Sequence, residues 1–247
     1  METLITVIGR GHSGTRAISH TLYASGVYMG SQLNPSGDKI PPFAMYDACR
    51  VLAKYVKWKG GLTWNFDPLF TMPIDPEFKQ LINTYLADVM KDTSAYKGWK
   101  IPETTLVYPW IVRMFPDIRY IHWIRDPRDC ILGSHKTDNL RDFGIDYQQT
   151  DDIYERRAIS WYYQYQLMKA TPIPKHIIQI RFEDFVLKQE ETLKRLESFL
   201  GFSLGRIIVR PEAVERWKRV EEPCELPFDF LREAIVKNGY TLTSEPQ

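Results

Sequence analysis

Short, continuous runs of apolar residues punctuate the chain. Residues 3–8, 118–124 and 176–182 are runs of mostly β-branched or aromatic residues that predict buried strands, and residues 96–100 predict a further short strand. Continuous rather than alternating apolar runs are typical of parallel strands covered on both faces. We therefore expect a parallel sheet at the centre of the molecule.

Apolar residues at helical spacing fill most of the chain between these runs. The predicted helices are residues 15–26, 43–58, 76–92, 102–115, a helix starting at Pro127, 152–170 and 189–201. Strands that alternate with helices predict an α/β fold of three layers, with helices on both faces of the central sheet. Residues 31–42 are rich in Pro, Gly, Asn and Ser and predict a long surface loop.

Composition narrows the class of protein. The length of 247 residues suits a single domain that spans residues 1–247. The net charge of +1 gives no reason to expect binding to nucleic acid or to a membrane surface. No apolar run approaches the ~20 residues of a membrane span, and the N-terminus lacks a secretory signal, so we expect a cytoplasmic protein. The three cysteines lack metal-ligand or disulfide spacing, so no metal is expected.

A glycine-rich stretch, GRGHSGTR at residues 9–16, connects the first predicted strand to the first helix. Backbone N–H groups in such a turn and at the start of the following helix form a phosphate site. The spacing from Gly9 to Gly14 is that of an ATP-binding loop, but Thr15 stands where that loop has lysine. A ligand other than a nucleoside triphosphate is therefore favoured.

A second junction of the same kind follows residues 118–124. Arg125 and Arg128 lie just after that strand, and the carboxyl ends of parallel strands meet at one edge of the sheet, where open α/β sheets bind ligands. Two basic junctions at one edge suit a ligand with two separate phosphate groups.

Several stretches resemble, in the same order, segments of the sulfotransferases that use 3′-phosphoadenosine 5′-phosphosulfate (PAPS). They are GHSGTR (11–16), KIPETTLVYPWIVRMFPDIRYIHWIRDPRDCILGSH (100–135), IRFEDFVLKQEETLKRLESFLG (180–201), ERWKRV (215–220) and GY (239–240). The resemblance implies the P-loop NTPase-like sulfotransferase fold and transfer of a sulfuryl group from PAPS to a hydroxyl or amine, without a metal. The acceptor class it leaves open includes small molecules, carbohydrates, lipids and peptides.

The resemblance also implies roles for residues that bind PAPS. The implied ligands of the 5′-phosphosulfate are Gly11, His12, Ser13, Gly14, Thr15 and Arg16. Arg125 matches the arginine that binds the 3′-phosphate. The family's serine, eight residues after that arginine, is Gly133 here, and Ser134 lies one residue later, which on a helix rotates a side chain by about 100°. Trp217 and Lys218 are expected to close over the nucleotide.

The implied catalytic residues are Arg10, His12, Lys100 and Glu103. His12 replaces the usual Lys or Arg, so the cation that neutralises the transferring group is Arg10, Arg16 or a protonated His12. Lys100 matches a lysine that lines the sulfuryl site. Glu103 is the first candidate for the general base that deprotonates the acceptor, and Asp38 is the second.

Two further interpretations remain at this point. Arg125 and Arg128 also suit a P-loop kinase, and His12 also suits a nucleotide-binding module without activity. Residues 31–75 are expected to form a cap over the acceptor pocket, and residues 206–247 a segment that closes over the nucleotide. The aromatic residues of the cap suit either a substrate platform or the core.

Overall fold

The computed structural model describes residues 2–219 and 228–242. Its strands are β1 (Thr3–Ile8), β2 (Lys57–Trp58), β3 (Trp64–Asn65), β4 (Tyr96–Lys100), β5 (Arg119–Ile124) and β6 (Ile177–Arg181). Four of them form a parallel sheet in the order β4-β1-β5-β6, and β2 and β3 form a separate antiparallel pair. The predicted parallel sheet is confirmed, with β1 in its interior between β4 and β5.

Helices cover both faces of this sheet, as expected. They are α1 (Thr15–Ala24), α2 (Phe43–Ala53), α3 (Pro68–Thr71), α4 (Pro76–Tyr85), α5 (Ala87–Lys91), α6 (Tyr108–Met114), α7 (Pro127–Ile131), α8 (Ile153–Ala170), α9 (Phe182–Leu187), α10 (Gln189–Leu200) and α11 (Arg232–Lys237). One apolar core joins the sheet to α2, α4, α6 and α8, and another joins it to α1, α9 and α10. The two cores are the reason that the strands are apolar on both faces.

Some predicted helices are shorter than the sequence indicated. The segment 43–58 is helical only to Ala53, because the chain then turns through two glycines so that Lys57 and Trp58 can pair with β3. Residues 102–115 begin as a 3₁₀ helix and continue as α6, in which Pro109 has no N–H to extend the preceding turn. Residues 76–92 form two helices that meet at Leu86.

The segment 31–75 contributes to the core more than a cap would. Trp64 and Phe66 are buried in the core beneath α2 and α8, whereas Trp58 is partly exposed. These two aromatic side chains therefore pack the fold rather than present a surface to a ligand. The part of the segment that reaches the site is the loop before α2.

Candidate functional site

The glycine-rich loop passes from β1 into α1 at the carboxyl end of the sheet. Gly14 precedes α1 with a φ of 81°, and a Cβ there would lie 2.4 Å from the ring of Phe182. A Cβ on Gly11 would lie 2.0 Å from the ring of His135. Glycine at both positions lets the loop pass between two rings, and α1 begins at Thr15 without a side-chain cap, so its first N–H groups are available to an anion.

A cavity of about 450 Å³ opens beside this loop. It reaches across the carboxyl ends of β4, β1 and β5, and its wall includes residues of the C-terminal segment. The charged residues that line it are Arg16, Asp38, Lys100, Arg125, Arg210 and Arg216. Gly11, His12, Gly14, Thr15 and His135 also line it. The structure thus brings together in one cavity seven residues that the sequence predicts at the site: Gly11, His12, Gly14, Thr15, Arg16, Lys100 and Arg125.

Arg125 is buried and held from several sides. Its Nε and Nη2 donate to the carboxylate of Asp129 at 3.2 and 2.8 Å, its Nη2 also donates to the Ala213 carbonyl, and its Nη1 donates to the His12 carbonyl at 3.2 Å. The guanidinium lies 4.4 Å from the centre of the Phe182 ring. A guanidinium has five N–H groups, so these contacts leave one N–H of Nη1 for a ligand in the cavity.

Lys100 ends β4 on the opposite side of β1. Its side chain is 1% exposed, and its Nζ donates to the Ser36 carbonyl at 2.7 Å and to the carboxylate of Asp38. Burial lowers the pKa of Lys100, and the Asp38 carboxylate opposes that shift. The lysine is thus placed at the cavity wall with a counterion already present.

His12 has a left-handed backbone with a φ of 62°. Its Nε2 donates to the carbonyl of Ser134, and its ring lies against Gly133, where a Cβ would be 2.4 Å from Nδ1. Burial lowers the pKa of His12 below its usual value, which favours the neutral ring. Charge at the cavity comes from the lysine and the arginines.

Arg10 and Ser13 lie apart from this cavity. The Arg10 guanidinium forms a buried ion pair with Asp138 at 2.5 Å, and the Ser13 hydroxyl donates to the Arg10 carbonyl. The Ser13 carbonyl in turn accepts from the Trp123 indole at 2.9 Å. Both side chains hold the loop together and face the other side of it.

Glu103 lies directly behind the cavity wall, after Pro102, and is 2% exposed. Burial raises its pKa to about 7, with Asp38 adding to the shift and Lys100 opposing it. A carboxyl group with this pKa exchanges its proton near neutral pH, which is the property of a general base. Its burial places it next to the site rather than in its wall.

The helix expected from Pro127 ends at Ile131, and Ser134 lies beyond it, outside any helix or strand. Rotation about a helix therefore does not decide the role of Ser134, which contributes its carbonyl to His12 and has an exposed side chain. Asp126 accepts from the Arg128 N–H at 2.9 Å and caps α7. Arg128 then pairs with this carboxylate at 2.7 Å and with the Thr241 carbonyl, which makes it structural.

The C-terminal segment covers one side of the cavity. Its residues 207–210, Ala213 and Arg216 line the wall. Trp217 lies under the Arg128 guanidinium at 3.8 Å, and its backbone N–H donates to Asp129 at 2.9 Å, while Lys218 pairs with Glu215 at 2.9 Å. Trp217 and Lys218 thus brace the segment, and Arg210 and Arg216 are the cations that sequence reasoning missed. Residues 220–227 and 243–247 of this segment lie outside the described residues.

The described residues contain neither a metal-ligand cluster nor a membrane-spanning helix. No group of three or more His, Cys, Asp or Glu side chains in that part of the chain has the arrangement of a metal site. No helix there combines the length and the apolarity that crossing a bilayer needs. Cys49 and Cys130 are buried free thiols, and Cys224 lies outside the described residues.

Comparison with known proteins identifies the family. The sequence model of the sulfotransferase family matches residues 5–205, so the chain belongs to this family. Among solved structures, the "Sulfotransferase Domain from the Curacin Biosynthetic Pathway" has a TM-score of 0.61 at 13% identity, covering 98% of this chain and 99% of that one. The fold expected from the resemblance is confirmed.

One curated relative matches part of the chain. The "Putative protein-tyrosine sulfotransferase" of Caenorhabditis briggsae is 22% identical over 162 residues, or 63% of this chain. The match spans 55% of that relative's length, which is about half.

Proposed function

We propose that the protein transfers a sulfuryl group from PAPS to a hydroxyl acceptor, without a metal. The observation that supports this most is the distribution of cations across three adjacent strand ends. The anion site of α1 follows β1, Arg125 follows β5 on one side, and Lys100 ends β4 on the other. Adjacent strands lie about 4.8 Å apart, so the three positions span about 10 Å.

The order of the strands suggests how the donor lies. The 5′-phosphate sits on the first N–H groups of α1 and on the Thr15 hydroxyl. The 3′-phosphate lies toward Arg125, with Arg210 and Arg216 at the same side of the cavity. The sulfuryl group then lies on the remaining side, at Lys100.

The hydrogen-bond donors at the cavity fit the phosphate groups of PAPS. Helix N–H groups and guanidinium N–H groups are strong donors to phosphate oxygens, and Arg125 has an N–H to spare. The Phe182 ring and residues 207–209 supply apolar surface for the nucleoside. Thr15 in place of the ATP-loop lysine is a further reason to favour this donor over a nucleoside triphosphate with magnesium.

PAPS supplies the activated group: as an acceptor oxygen bonds to sulfur, the bond from sulfur to the bridging oxygen breaks, and adenosine 3′,5′-bisphosphate leaves with the electron pair. Lys100 stabilises negative charge at the sulfuryl group. From the sequence, this role is expected of Arg10, Arg16 or a protonated His12. Glu103 takes the acceptor's proton. Transfers of this type depend on positioning and on charge stabilisation, which fixed cations provide.

The acceptor approaches from the side of the cavity lined by Ser36, Asp38, Pro102 and His135. This wall is polar and lies next to both Lys100 and Glu103. A hydroxyl on a small molecule, a carbohydrate or a lipid headgroup suits it.

Calorimetric titration tests whether the cavity binds the nucleotide part of PAPS. In EDTA, adenosine 3′,5′-bisphosphate is expected to bind wild type, and Arg210→Ala and Arg216→Ala are each expected to weaken binding by about ten- to a hundredfold, as the loss of a hydrogen bond between charged groups does. Both arginines are exposed, so their removal spares the fold. The matched control is Arg195→Ala, an exposed arginine on α10 that does not line the cavity.

Other outcomes separate the alternatives. Preference for ADP with magnesium over the bisphosphate favours the kinase interpretation and overturns the proposal. Binding of the bisphosphate without turnover of PAPS on any hydroxyl acceptor in a broad panel favours the inactive nucleotide-binding module.

A further inference from the structure

The loop between α1 and α2 is built to hold one carboxylate in a fixed place. The Asn34 side-chain oxygen accepts from the N–H groups of Ser36 and Asp38 at 2.8 and 2.9 Å. The Asn34 amide nitrogen donates to Oδ2 of Asp38 at 2.9 Å. One oxygen of Asp38 is therefore held within the loop, and the other is free to contact Lys100.

This loop is also fixed to the two elements that carry the site. Ser19 of α1 donates to the Gly37 carbonyl at 2.7 Å, and Arg16 donates to the Ser36 hydroxyl at 3.0 Å. The N–H of Lys39 donates to the Lys100 carbonyl at 2.8 Å. The position of the Asp38 carboxylate is consequently set relative to both the anion site and Lys100.

At this end of the cavity Asp38 offsets the charge of Lys100, and Arg16, which donates to Ser36 of the same loop, adds a second positive charge. Lys100 is 1% exposed and Asp38 is 16% exposed, so solvent screens the pair weakly. The other end of the cavity has Arg125, which is paired with Asp129, together with Arg210 and Arg216. The two ends are therefore adapted to groups of different charge.

We infer that Asp38 is a specificity-determining residue, which selects a sulfuryl donor over the corresponding phosphoryl donor. This inference rests on the proposed function, in which the transferring group lies at Lys100. A terminal sulfuryl group carries one negative charge, whereas a terminal phosphate with a second pKa near 6 carries almost two at pH 7.5. With Asp38 offsetting Lys100, Arg16 leaves one net positive charge at this end, which balances the first negative charge and leaves the second uncompensated.

The test compares three ligands that differ only at this end. Adenosine 3′,5′-bisphosphate lacks the terminal group, PAPS has the singly charged group, and adenosine 3′-phosphate 5′-diphosphate has the doubly charged group. Each is titrated by calorimetry in EDTA at pH 7.5, without an acceptor. Wild type is expected to bind PAPS more tightly than the diphosphate, and Asp38→Asn is expected to reduce that ratio by about tenfold, equivalent to about 1.4 kcal/mol.

Two variants control for effects of structure. Asn34→Ala loosens the loop without changing its charge. It is expected to weaken the binding of PAPS, and to change the ratio of PAPS to diphosphate affinity less than Asp38→Asn does. Asp88→Asn removes the carboxylate paired with Lys39 at 2.9 Å, which does not line the cavity, and is expected to leave the ratio unchanged.

The outcomes distinguish this inference from the proposed function. If wild type and Asp38→Asn bind the bisphosphate equally and the ratio does not change, Asp38 does not select the donor, and the proposed function stands. An equal change in Asp88→Asn also overturns the inference, because the effect is then general electrostatics. If wild type binds none of the three ligands, both proposals fall.

Discussion

Two of the cations at the cavity, Arg125 and Lys100, are held by acceptors of the protein itself. Arg125 donates to Asp129 and to the carbonyls of His12 and Ala213, and Lys100 donates to Asp38 and to the Ser36 carbonyl. Side chains held in this way lose little entropy when a ligand binds, and they need no reorganisation as charge develops. The same contacts explain how so much charge is buried at one edge of the sheet.

Lys100 is expected to act on the sulfuryl group and not on the rest of the nucleotide. Lys100→Met should weaken the binding of PAPS by about ten- to a hundredfold and that of adenosine 3′,5′-bisphosphate much less, since it removes a charged donor. Lys97→Met is the matched control, because Lys97 is also a buried lysine of β4 but pairs with Glu2 away from the cavity. Equal losses for both ligands in Lys100→Met would place the lysine elsewhere in the site.

Ionisation of Glu103 is expected to make the free energy of unfolding depend on pH, an effect that can be measured without an acceptor substrate. Its pKa is about 7 in the fold and 4.5 as the ordinary value, so the native state binds the proton more tightly than the unfolded chain does. Stability therefore falls as pH rises from about 4.5 through about 7. Glu103→Gln removes this cost, and is expected to raise the free energy of unfolding by roughly 1–3 kcal/mol at pH 8, with the gain shrinking toward pH 4.5.

Urea unfolding at several pH values measures this effect. Glu191→Gln, the same change on the exposed face of α10, is the control and should leave the pH dependence as it is. A gain that is independent of pH in Glu103→Gln would show that ionisation of the carboxyl group is not its cause. With an acceptor in hand, wild-type kcat/KM should rise with pH through about 7, because the base acts in its deprotonated form.

At the scale of elements, the glycine-rich loop is packed on both sides by side chains from distant parts of the chain. His135 lies over Gly11 and Phe182 lies under Gly14. The Phe182 ring in turn contacts the Arg125 guanidinium, so the loop, the β5–α7 junction and the start of α9 form one unit. The position of the loop therefore depends on all three elements.

Gly14→Ala and Gly26→Ala separate packing from backbone strain. The two glycines have φ values of 81° and 82°, but a Cβ at Gly14 would meet Phe182 at 2.4 Å, and one at Gly26 would meet nothing within 4 Å. Gly26→Ala should cost about 1 kcal/mol of unfolding free energy, and Gly14→Ala at least about 2 kcal/mol more. Similar costs for both variants in urea unfolding would mean that the loop is free to move off the ring.

Local patterns predicted the elements that position the site. The strands and the glycine-rich turn are recognisable because β-branched runs and glycine spacing are local signals, and Arg125 follows its strand directly. Arg210 and Arg216 were missed because their place at the cavity depends on how the C-terminal segment folds back over β5. Arg10 and Ser13 were placed at the ligand because a sequence does not show that Asp138 and Trp123 hold them on the other side of the loop.

At the scale of the whole molecule, the order of the strands brings the site together. Thr15 and Lys100 are 85 positions apart along the chain, and Lys100 and Arg125 are 25 positions apart. All three reach one cavity because β4 and β5 both pair with β1 in parallel. The C-terminal segment then adds two arginines and closes one side. The ends of three strands and the C-terminal segment thus form the single cavity to which the proposed function assigns PAPS.

A crystal structure with adenosine 3′,5′-bisphosphate tests the central claim most directly. The account predicts the 5′-phosphate on the first N–H groups of α1, the 3′-phosphate within hydrogen-bond distance of Arg125, and an open path from the 5′-phosphate to Lys100. A nucleotide bound with its phosphates in the reverse order, or in a different cavity, would contradict it.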